Sequence, residues 1–406
     1  MINVAVLGYG TVGSGVVEVL NTNKESIAKR AGDEINIKYV LDLRDFPGDP
    51  VEKVLVHDFD TIINDDEVDI VVEAMGGTNP AYKFAKASLE RGKSYCTSNK
   101  ELVAKYGPEL LELAKSKGKN FLFEASVGGG IPIIRPLNQS LTADEIMEIT
   151  GILNGTTNYI LTKMSKEGLD FDTVLKEAQD LGYAEKNPEA DVEGYDACRK
   201  IAILSSLAYG EHVDYEDIYT EGITKITDAD FKYAMKLGYT IKLFGKSKRV
   251  DDKFYAMVAP FMINSDNPLY SVNGVLNGIL VKGNVIGDVM FYGAGAGKLP
   301  TASAVVADVV DAAKHIKTNI MTIWSSKKLV LDDIKNSRKQ FFVRVEGDKA
   351  ARLEEIKNVF GDVTVISLEE LKDEFGFITP VMSEAEYEAA SLEVSGIKAR
   401  IRIESV

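Results

Sequence analysis

Short apolar runs rich in β-branched residues alternate with segments of helical spacing over the first third of the chain. The run Ile2–Leu7 leads into a helical segment at Ser14–Leu20, and a second run covers Ile35–Leu41. The alternation continues with predicted strands at 69–73, 94–96 and 120–124 and predicted helices at 81–91 and 101–117. Strands that alternate with helices in this way form a doubly wound parallel sheet. The first region is therefore predicted to have an α/β fold.

The pattern changes after Pro132. A strand is predicted at 144–153, followed by helices at 159–166 and 171–181. Short strands with turn residues follow, among them Tyr255–Ala259 and Val285–Met290, and the stretch Gly293–Val305 then opens a long helix toward His315. Strands and helices grouped in this order are typical of an α+β domain. We expect this domain to bind substrate and to mediate dimerisation, and the long helix to pack back on the first region.

A third pattern occupies the end of the chain. Gln340–Val345 alternates between apolar and polar residues, and Ser383 precedes Glu386 by three positions, as in a helix capping box. The predicted elements are strands at 340–345, 362–366, 375–379 and 398–403 and helices at 348–360 and 383–391. Their βαββαβ order is ferredoxin-like.

The composition narrows the class of protein. Of 406 residues, 45% are hydrophobic and 27% are charged, and the formal net charge is −15. This charge argues against general binding to nucleic acid or to anionic membranes, which select basic surfaces. No apolar run is long enough to cross a bilayer, and no signal-peptide pattern precedes the first strand. Cys96 and Cys198 lack zinc-ligand spacing, and a disulfide is not expected between them. A cytoplasmic protein is predicted.

A glycine-rich turn between the first strand and the first helix is the clearest chemical motif. It reads Gly8-Tyr9-Gly10-Thr11-Val12-Gly13. The first glycine permits a tight turn, the second lets the backbone approach a pyrophosphate, and the third permits close helix–strand packing. The helix that follows offers free N–H groups and a positive dipole end. The first region is thus predicted to be a Rossmann-type domain that binds NAD or NADP.

Cofactor choice stays open. The second strand ends at Asp42, an acid of the kind that binds the ribose hydroxyls of NAD, while Arg44 is suited to a 2′-phosphate. Asp42 tips the expectation toward NAD. Other candidates for the ligand edge of the sheet are Gly76 and Ser98-Asn99-Lys100, each of which follows a predicted strand.

A second polar motif lies near the middle, in the stretch Asp191–Lys200. It is predicted to form the first turns of a helix whose next turns, Ile201–Ser205, are apolar and buried. Four residues separate Asp196 from Lys200, so both side chains project from one helix face. Such a pair is either a solvated acid–base pair or a site that binds and protonates a small polar substrate. Taken alone, the pattern of this stretch favours the solvated acid–base pair.

The motifs together resemble the homoserine dehydrogenase family, whose members interconvert L-homoserine and L-aspartate 4-semialdehyde. The resemblance is carried by six stretches, which reach to about residue 316: Gly8–Gly13, Ser98–Lys100, Phe123–Pro132, Asn154–Leu161, Ala184–Lys200 and Gly293–Val305. It implies a nicotinamide cofactor and an amino-acid substrate. It also divides the chain into a dinucleotide-binding domain (1–132), a catalytic and dimerisation domain (133–298), a helix packing on the first domain (299–322), a linker (323–338) and an ACT regulatory domain (339–406).

The resemblance implies a role for each matching residue. Lys200 matches the general acid/base, Lys100 matches a second active-site lysine, and Glu185, Asp191 and Asp196 match carboxylates that bind the substrate. A monovalent cation, usually sodium, would lie at Glu124 and the backbone carbonyls of Val127, Gly129 and Ile131. Gly297, with the glycine turn, Gly76 and Ser98, would contact the cofactor. The chain departs from many relatives in the loop Lys186-Asn187-Pro188.

These residue types suit the reduction of an aldehyde. Negative charge builds on the substrate oxygen as hydride reaches the carbon, and an ammonium group stabilises that charge. We expect two lysines in one pocket to repel each other and to lower the pKa of at least one. The ACT domain implies an amino-acid effector such as threonine, although such domains also serve structural or oligomeric roles, and a homodimer or homotetramer is expected.

Two other classes compete with this interpretation. Another amino-acid dehydrogenase with the same two-domain plan would lack the stretches Asn154–Leu161 and Asp191–Lys200 together. A non-catalytic sensor linked to NAD would not need Lys100, Glu185, Asp196 and Lys200 all present. An absorbance assay with homoserine and both cofactors separates the sensor from the enzyme.

Overall fold

The computed structural model describes residues 1–404, and its first sheet is the predicted doubly wound one. The six strands are parallel and lie in the order β3-β2-β1-β4-β5-β6. The elements are β1 (Ile2–Leu7), α1 (Thr11–Thr22), α2 (Lys24–Ala31), β2 (Ile35–Leu41), β3 (Leu55–Val56), α3 (Phe59–Ile63), β4 (Ile70–Glu73), α4 (Ala81–Glu90), β5 (Ser94–Thr97), α5 (Lys100–Ser116) and β6 (Phe121–Leu122). The strand order reverses between β1 and β4, which places the ligand crevice of such a sheet beside the glycine turn.

Both faces of this sheet are buried, which explains why its strands are continuous apolar runs. Successive residues of β4 point to opposite faces: Val71 belongs to one hydrophobic core, and Val72 belongs to another. The second core is completed by the helix α11 (Lys298–Lys314), which returns from much later in the chain. A Cβ at Gly15 of α1 would lie 3.0 Å from the Ala302 side chain, so the two helices are in close contact. The predicted packing of this helix on the first region is confirmed.

The second sheet is mixed and has eleven strands. The middle region of the chain contains β7 (Ile146–Ile152), α6 (Gly155–Glu167), α7 (Phe171–Asp180), α8 (Glu189–Val192), α9 (Tyr195–Tyr209), β8 (Glu211–His212), β9 (Tyr219–Thr220), α10 (Asp228–Lys236), β10 (Tyr239–Val250), β11 (Lys253–Asn264), β12 (Leu276–Gly283) and β13 (Gly287–Ala294). β8 lies apart and pairs with the short strand β14 (Ser325–Lys328).

The prediction of short strands in this region was wrong. β10 and β11 are each 12 residues long and form one continuous antiparallel ladder. Val285 and Ile286, predicted to lie in a strand, form the exposed turn between β12 and β13. The glycines and charged residues within these strands look like turn signals in the sequence, but the ladder and the buried face override them.

The prediction of one helix through Asp191–Lys200 was also wrong. Asp191 lies in the short helix α8, and Lys200 lies in α9. Gly194 separates the two helices with φ 85°, a left-handed conformation that favours glycine. The break turns α9 so that its first turn, which carries Asp196, enters the protein interior.

The C-terminal unit has the predicted βαββαβ order. Its elements are β15 (Arg338–Glu346), α12 (Lys349–Phe360), β16 (Thr364–Ile366), β17 (Glu374–Ile378), β18 (Met382–Ser383), α13 (Glu384–Ser391) and β19 (Ile397–Ile403). Four of its strands lie in the order β19-β15-β17-β16, and Ser383 caps α13 with the predicted capping box. The unit is not separate, because β19 pairs in parallel with β11 and continues the second sheet.

The segment 323–338, expected to be a linker, is partly structured. Ser325–Lys328 forms β14, and the preceding Trp324 is 5% exposed. A Cβ at Gly107 of α5 would lie 2.8 Å from the Trp324 ring, so Trp324 packs closely against α5 of the first region. Within residues 1–404, no helix is long and apolar enough to span a membrane.

Candidate active site

A cleft of about 440 Å³ lies between the carboxyl edge of the first sheet and the helices α6 and α9. Its polar lining residues include Ser98, Lys100, Asn154, Asp191, Asp196 and Lys200, and Gly295–Gly297 also line it. The first two follow β5, whereas the others come from the middle of the chain. The structure thus brings together residues that lie up to about a hundred positions apart in the sequence.

The carboxylate of Asp196 is the centre of this cleft. Its Oδ1 accepts from Lys100 Nζ at 2.8 Å, and its Oδ2 accepts from Lys200 Nζ, also at 2.8 Å. Lys200 further donates to the Leu153 carbonyl at 2.7 Å. Asp196 is 4% exposed and Lys200 is 9% exposed. A buried carboxylate that bridges two ammonium groups is unlike the solvated i,i+4 pair that the local sequence also allowed.

This geometry sets the charges of the cleft. Burial opposes ionisation of Asp196, but the two lysines outweigh it and hold the pKa of Asp196 well below its usual range. The charge of Asp196 in turn raises the pKa of Lys100, against the effect of burial. The expectation was that repulsion lowers the pKa of at least one of the two lysines, and Lys100 does not show this effect. The shared carboxylate lies 2.8 Å from each ammonium group, and its attraction for Lys100 outweighs burial.

Asn154 is a functional candidate that we did not single out from the sequence. Its Nδ2 donates to Asp196 Oδ2 at 2.9 Å and to Asp191 Oδ1 at 2.7 Å, while its Oδ1 caps α6 by accepting from Thr157 N at 2.9 Å. Burial raises the pKa of Asp191, and the nearby charge of Asp196 adds to the effect. An asparagine before a glycine and two threonines was a signal for a helix cap, although not for a contact with two carboxylates.

The glycine turn has the geometry that the motif predicts. Gly8 has φ 91°, and a Cβ at Gly13 would lie 1.8 Å from the Gly8 carbonyl oxygen. Nothing lies within 4 Å of a Cβ built at Gly10, so the backbone there is open to a ligand. α1 begins at Thr11 without a side-chain cap. Its first N–H groups are therefore available to a pyrophosphate.

Asp42 and Arg44 form an ion pair beside this turn. Arg44 donates from Nε to Asp42 Oδ1 and from Nη2 to Asp42 Oδ2, both at 3.0 Å. Tyr9 N also donates to the carboxylate, at 2.8 Å. The Arg44 side chain holds the pKa of Asp42 well below its usual range, and it remains 63% exposed.

The other predicted cofactor residues lie at the same edge of the sheet. Ser98 and Gly297 line the cleft, and Gly297 has φ 120°. Gly76 lies in the loop that follows β4, with φ 105°, and it is outside the residues that line the cleft. This loop abuts the glycine turn, since a Cβ at Gly8 would lie 3.0 Å from Met75 Cγ.

Glu124, predicted to lie at the cation site, has a carboxylate that accepts from backbone N–H groups. Its carboxylate is buried and accepts from the N–H groups of Ile133, Ile134 and Arg135 at 2.6 to 2.9 Å. Asp308 of α11 accepts from Glu124 N at 2.8 Å. The carboxylate thus fixes the crossover between the two sheets. In residues 1–404, no group of three acidic, histidine or cysteine side chains is arranged to hold a metal ion.

Glu185 lies outside the cleft in this structure. Its side chain is exposed, and its carbonyl accepts from Gln179 Nε2 at 3.1 Å. The neighbouring Tyr183 does line the cleft, and its carbonyl accepts from Thr156 Oγ1 at 2.6 Å. The loop that carries Glu185 therefore borders the cleft without directing this carboxylate into it. Cys96 and Cys198 are both free and buried, as expected.

Comparison with known proteins identifies the family. Residues 8–124 match the family model for the NAD binding domain of homoserine dehydrogenase, and residues 132–310 match the homoserine dehydrogenase model. The homoserine dehydrogenase of Bacillus subtilis is 43% identical over 79% of this chain and 74% of its own length, and that of Synechocystis is 48% identical over 76% and 73%.

Solved structures agree with this result. A homoserine dehydrogenase from Thiobacillus denitrificans has a TM-score of 0.92 at 37% identity, over 100% of this chain and 98% of that one. A hyperthermophilic archaeal homoserine dehydrogenase in complex with NADPH has a TM-score of 0.65 at 29% identity, over 77% of this chain and 97% of that one. This chain belongs to the homoserine dehydrogenase family and is an oxidoreductase that uses a nicotinamide cofactor.

Proposed function

We propose that this chain interconverts L-aspartate 4-semialdehyde and L-homoserine by hydride transfer, with Lys200 as the general acid/base. The observation that carries the proposal is the Asp196 carboxylate, which holds Lys100 and Lys200 at 2.8 Å each in one cleft. A dinucleotide on the glycine turn would place its nicotinamide toward this cleft. The bound cofactor supplies or accepts the hydride, and the protein positions the reactants.

Each side chain has a role in this mechanism. The ammonium of Lys200 donates a proton to the aldehyde oxygen as negative charge builds there, and takes it back in the reverse direction. Lys100, which lies nearer the cofactor edge, stabilises the same charge. Asp196 orients both lysines and raises the pKa of Lys100. Asp191 binds the α-ammonium of the amino acid, and Glu185 joins it when the loop at 182–188 closes over the substrate.

A sodium ion fits the crossover through backbone oxygens. The carbonyls of Val127, Gly129 and Ile131 accept no backbone hydrogen bond from residues 1–404. Carbonyl oxygens are ligands that hard cations accept. We propose that these three carbonyls, with the backbone rather than the carboxylate of Glu124, would hold the ion.

Both NAD and NADP are proposed as cofactors. Asp42 lies at the end of β2, where an acid is proposed to bind the ribose hydroxyls, and the exposed Arg44 forms an ion pair with it. We expect Arg44→Ala to raise the KM for NADP about tenfold, because one charge-assisted contact to a phosphate is lost. The KM for NAD should change less than about threefold. Steady-state kinetics with both cofactors measures this, with Arg91→Ala as a control on an exposed arginine at the end of α4. Equal losses for the two cofactors would count against a 2′-phosphate contact.

The domain division given by the family resemblance stays part of the proposal. In it, residues 339–406 form an ACT domain that binds an amino-acid effector, and threonine is the proposed effector in the biosynthesis of threonine, methionine and isoleucine. A homodimer or homotetramer is proposed from the same family resemblance. A cytoplasmic location is proposed as well.

The contacts of the C-terminal unit support a regulatory role. Arg402, which is 1% exposed, donates to Glu384 at 2.6 Å and to Glu221 at 2.7 Å. Glu221 precedes Gly222, where an added Cβ would lie 2.2 Å from the Val192 carbonyl oxygen. The loop that the C-terminal unit holds is thus packed against the break between α8 and α9.

Threonine is expected to inhibit the enzyme through this loop. A titration with L-threonine should lower the rate, and Glu221→Gln should raise the concentration for half-inhibition about tenfold, because the link to Arg402 weakens. Glu211→Gln, which affects an ion pair with Lys327 away from the C-terminal unit, is the control. A rate that stays flat across the titration would count against an effector role for threonine.

A further inference from the structure

A buried network of hydrogen bonds joins the loop after β4 to the helix that begins with Lys100. It starts at Glu73, the last residue of β4, whose side chain is fully buried. Glu73 Oε1 accepts from Met75 N at 2.7 Å and from Gly76 N at 3.2 Å. Its Oε2 accepts from Thr97 Oγ1 at 2.7 Å. One carboxylate therefore folds the loop after its own strand and reaches the end of the neighbouring strand.

The other half of the network runs back to the same loop. Thr97 Oγ1 accepts from Asn99 N at 2.9 Å, and Asn99 Nδ2 donates to the Gly77 carbonyl at 2.6 Å. Asn99 Oδ1 caps α5 by accepting from Leu102 N at 3.1 Å. The bonds thus close a ring through Glu73, Thr97, Asn99 and the backbone of Met75–Gly77. We call this ring the Glu73 network.

The network joins a loop beside the proposed cofactor site to the start of a helix that lines the cleft. The loop Met75–Gly77 abuts the glycine turn at Gly8, where the cofactor is proposed to bind. Lys100, the first residue of α5, contacts Asp196 in the cleft at 2.8 Å. The side chains of Glu73, Thr97 and Asn99 do not themselves line the cleft, whereas Ser98 and Lys100 do. The network can therefore act only through the segments that it holds.

We propose that Glu73, Thr97 and Asn99 are positioning residues that fix Lys100 relative to the cofactor. This inference rests on the proposed roles of Lys100 and of the glycine turn. A closed, buried network whose donors and acceptors are paired is rigid, because each bond lies in a low dielectric and supports the next. Hydride transfer needs the donor carbon, the acceptor carbon and the proton donor aligned to within a fraction of an ångström. The network supplies that alignment across two strands.

Thr97→Val tests the proposal, because valine keeps the shape of threonine and removes the hydroxyl that links the two halves. We expect kcat to fall at least about tenfold. The affinity for NADPH should fall about threefold, because the loop beside the glycine turn loses one hydrogen-bonded link, and a fluorescence titration without substrate measures it. Thr97→Ser restores the hydroxyl and should return both values to within about twofold of the wild type. Tyr95→Phe is the matched control on β5, since the Tyr95 hydroxyl is buried and has no hydrogen-bond partner within residues 1–404.

A double variant distinguishes positioning from general destabilisation. If the network acts as one unit, adding Asn99→Ser to Thr97→Val should cost little more than either change alone. Serine still caps α5 but cannot reach Gly77. If Thr97→Val does not fold, Asn99→Ser alone should show the same fall in kcat, and wild-type kinetics there would overturn the proposal.

Three further outcomes overturn it. They are a Thr97→Val enzyme that matches Thr97→Ser in both kcat and NADPH affinity, a loss shared by Tyr95→Phe, and additive effects in the double variant. The proposed function fails differently, because then the wild-type protein itself shows no activity with homoserine and either cofactor.

Discussion

Lys200→Ala is expected to lower turnover about a thousandfold, which is within the range for loss of a general acid. Alanine removes the ammonium that is held both by Asp196 and by the Leu153 carbonyl. The glycine turn, where the cofactor is proposed to bind, lies on the first sheet and should not change. We therefore expect the affinity for NADPH to remain within about twofold of the wild type. Steady-state kinetics and a fluorescence titration measure the two quantities.

Arg199→Ala provides the control for this variant. Arg199 is the neighbouring cation on α9, but its guanidinium lies over the Tyr215 ring at 5.6 Å and not in the cleft. Its loss should leave turnover within about twofold, since surface charges contribute little. Near-normal turnover in Lys200→Ala would remove Lys200 from the mechanism.

Asp196→Asn is expected to have the second largest effect, about a hundredfold on turnover, comparable to the loss of one preorganised electrostatic contact. The substitution keeps the shape and leaves two ammonium groups together without their shared carboxylate. The pKa of Lys100, which Asp196 raises, should then fall. Since the proposed mechanism needs a protonated Lys100, the rate of aldehyde reduction should decline at a lower pH than in the wild type. The pH profile of kcat/KM for L-aspartate 4-semialdehyde measures the shift.

The same variant should lose stability. Removing one member of a buried ion pair costs about 3 kcal/mol. Because its partners lower the pKa of Asp196, the stabilisation is present above the pKa of an unfolded aspartate, about 4, and is lost as the pH falls below it. The destabilisation by Asp196→Asn should therefore be full at neutral pH and should shrink in acid.

A second Asp–Lys pair in the chain offers a matched control for this variant. Asp228 and Lys232 have the same i,i+4 spacing on α10, but both are exposed. Asp228→Asn should change stability by less than about 0.5 kcal/mol and should leave the pH profile in place. A profile that is unmoved in Asp196→Asn would contradict the proposed coupling of Asp196 to the lysines.

The first sheet was predictable because its signals are local. The turn at Gly8–Gly13 fixes a strand end and a helix start within a few residues, and the spacing of apolar residues fixes the strands around it. The same holds for the capping box, in which Ser383 and Glu386 together indicate the start of a helix. In each case the residues that decide the structure are neighbours in the sequence.

The charges of the cleft were not predictable in this way. Lys100 and Asp196 are almost a hundred residues apart, and only the packing of the two sheets brings them to 2.8 Å. Without that contact, two lysines in one pocket imply repulsion and a lowered pKa, which is the opposite of what Lys100 shows. Asn154 was overlooked for the same reason, because its contacts to Asp191 and Asp196 cross between elements.

Two further differences come from the backbone and from pairing at a distance. Gly194 adopts a left-handed conformation that divides the stretch Asp191–Lys200 into two helices. A single glycine after a polar residue is not a sufficient sequence signal for such a break. The pairing of β19 with β11 makes the C-terminal unit part of the second sheet. Without β19, the edge of β11 would expose unpaired N–H and C=O groups. The sequence pattern of neither unit shows that these two strands pair.

The most direct test of the account is the rate of hydride transfer in a single turnover, measured with NADPH bound and L-aspartate 4-semialdehyde added. The wild-type enzyme and Lys200→Ala are compared at equal occupancy of the cofactor. The account predicts that the chemical step itself slows about a thousandfold in the variant. A chemical step at the wild-type rate, with the loss confined to substrate binding or product release, would contradict the assignment of Lys200 as the proton donor.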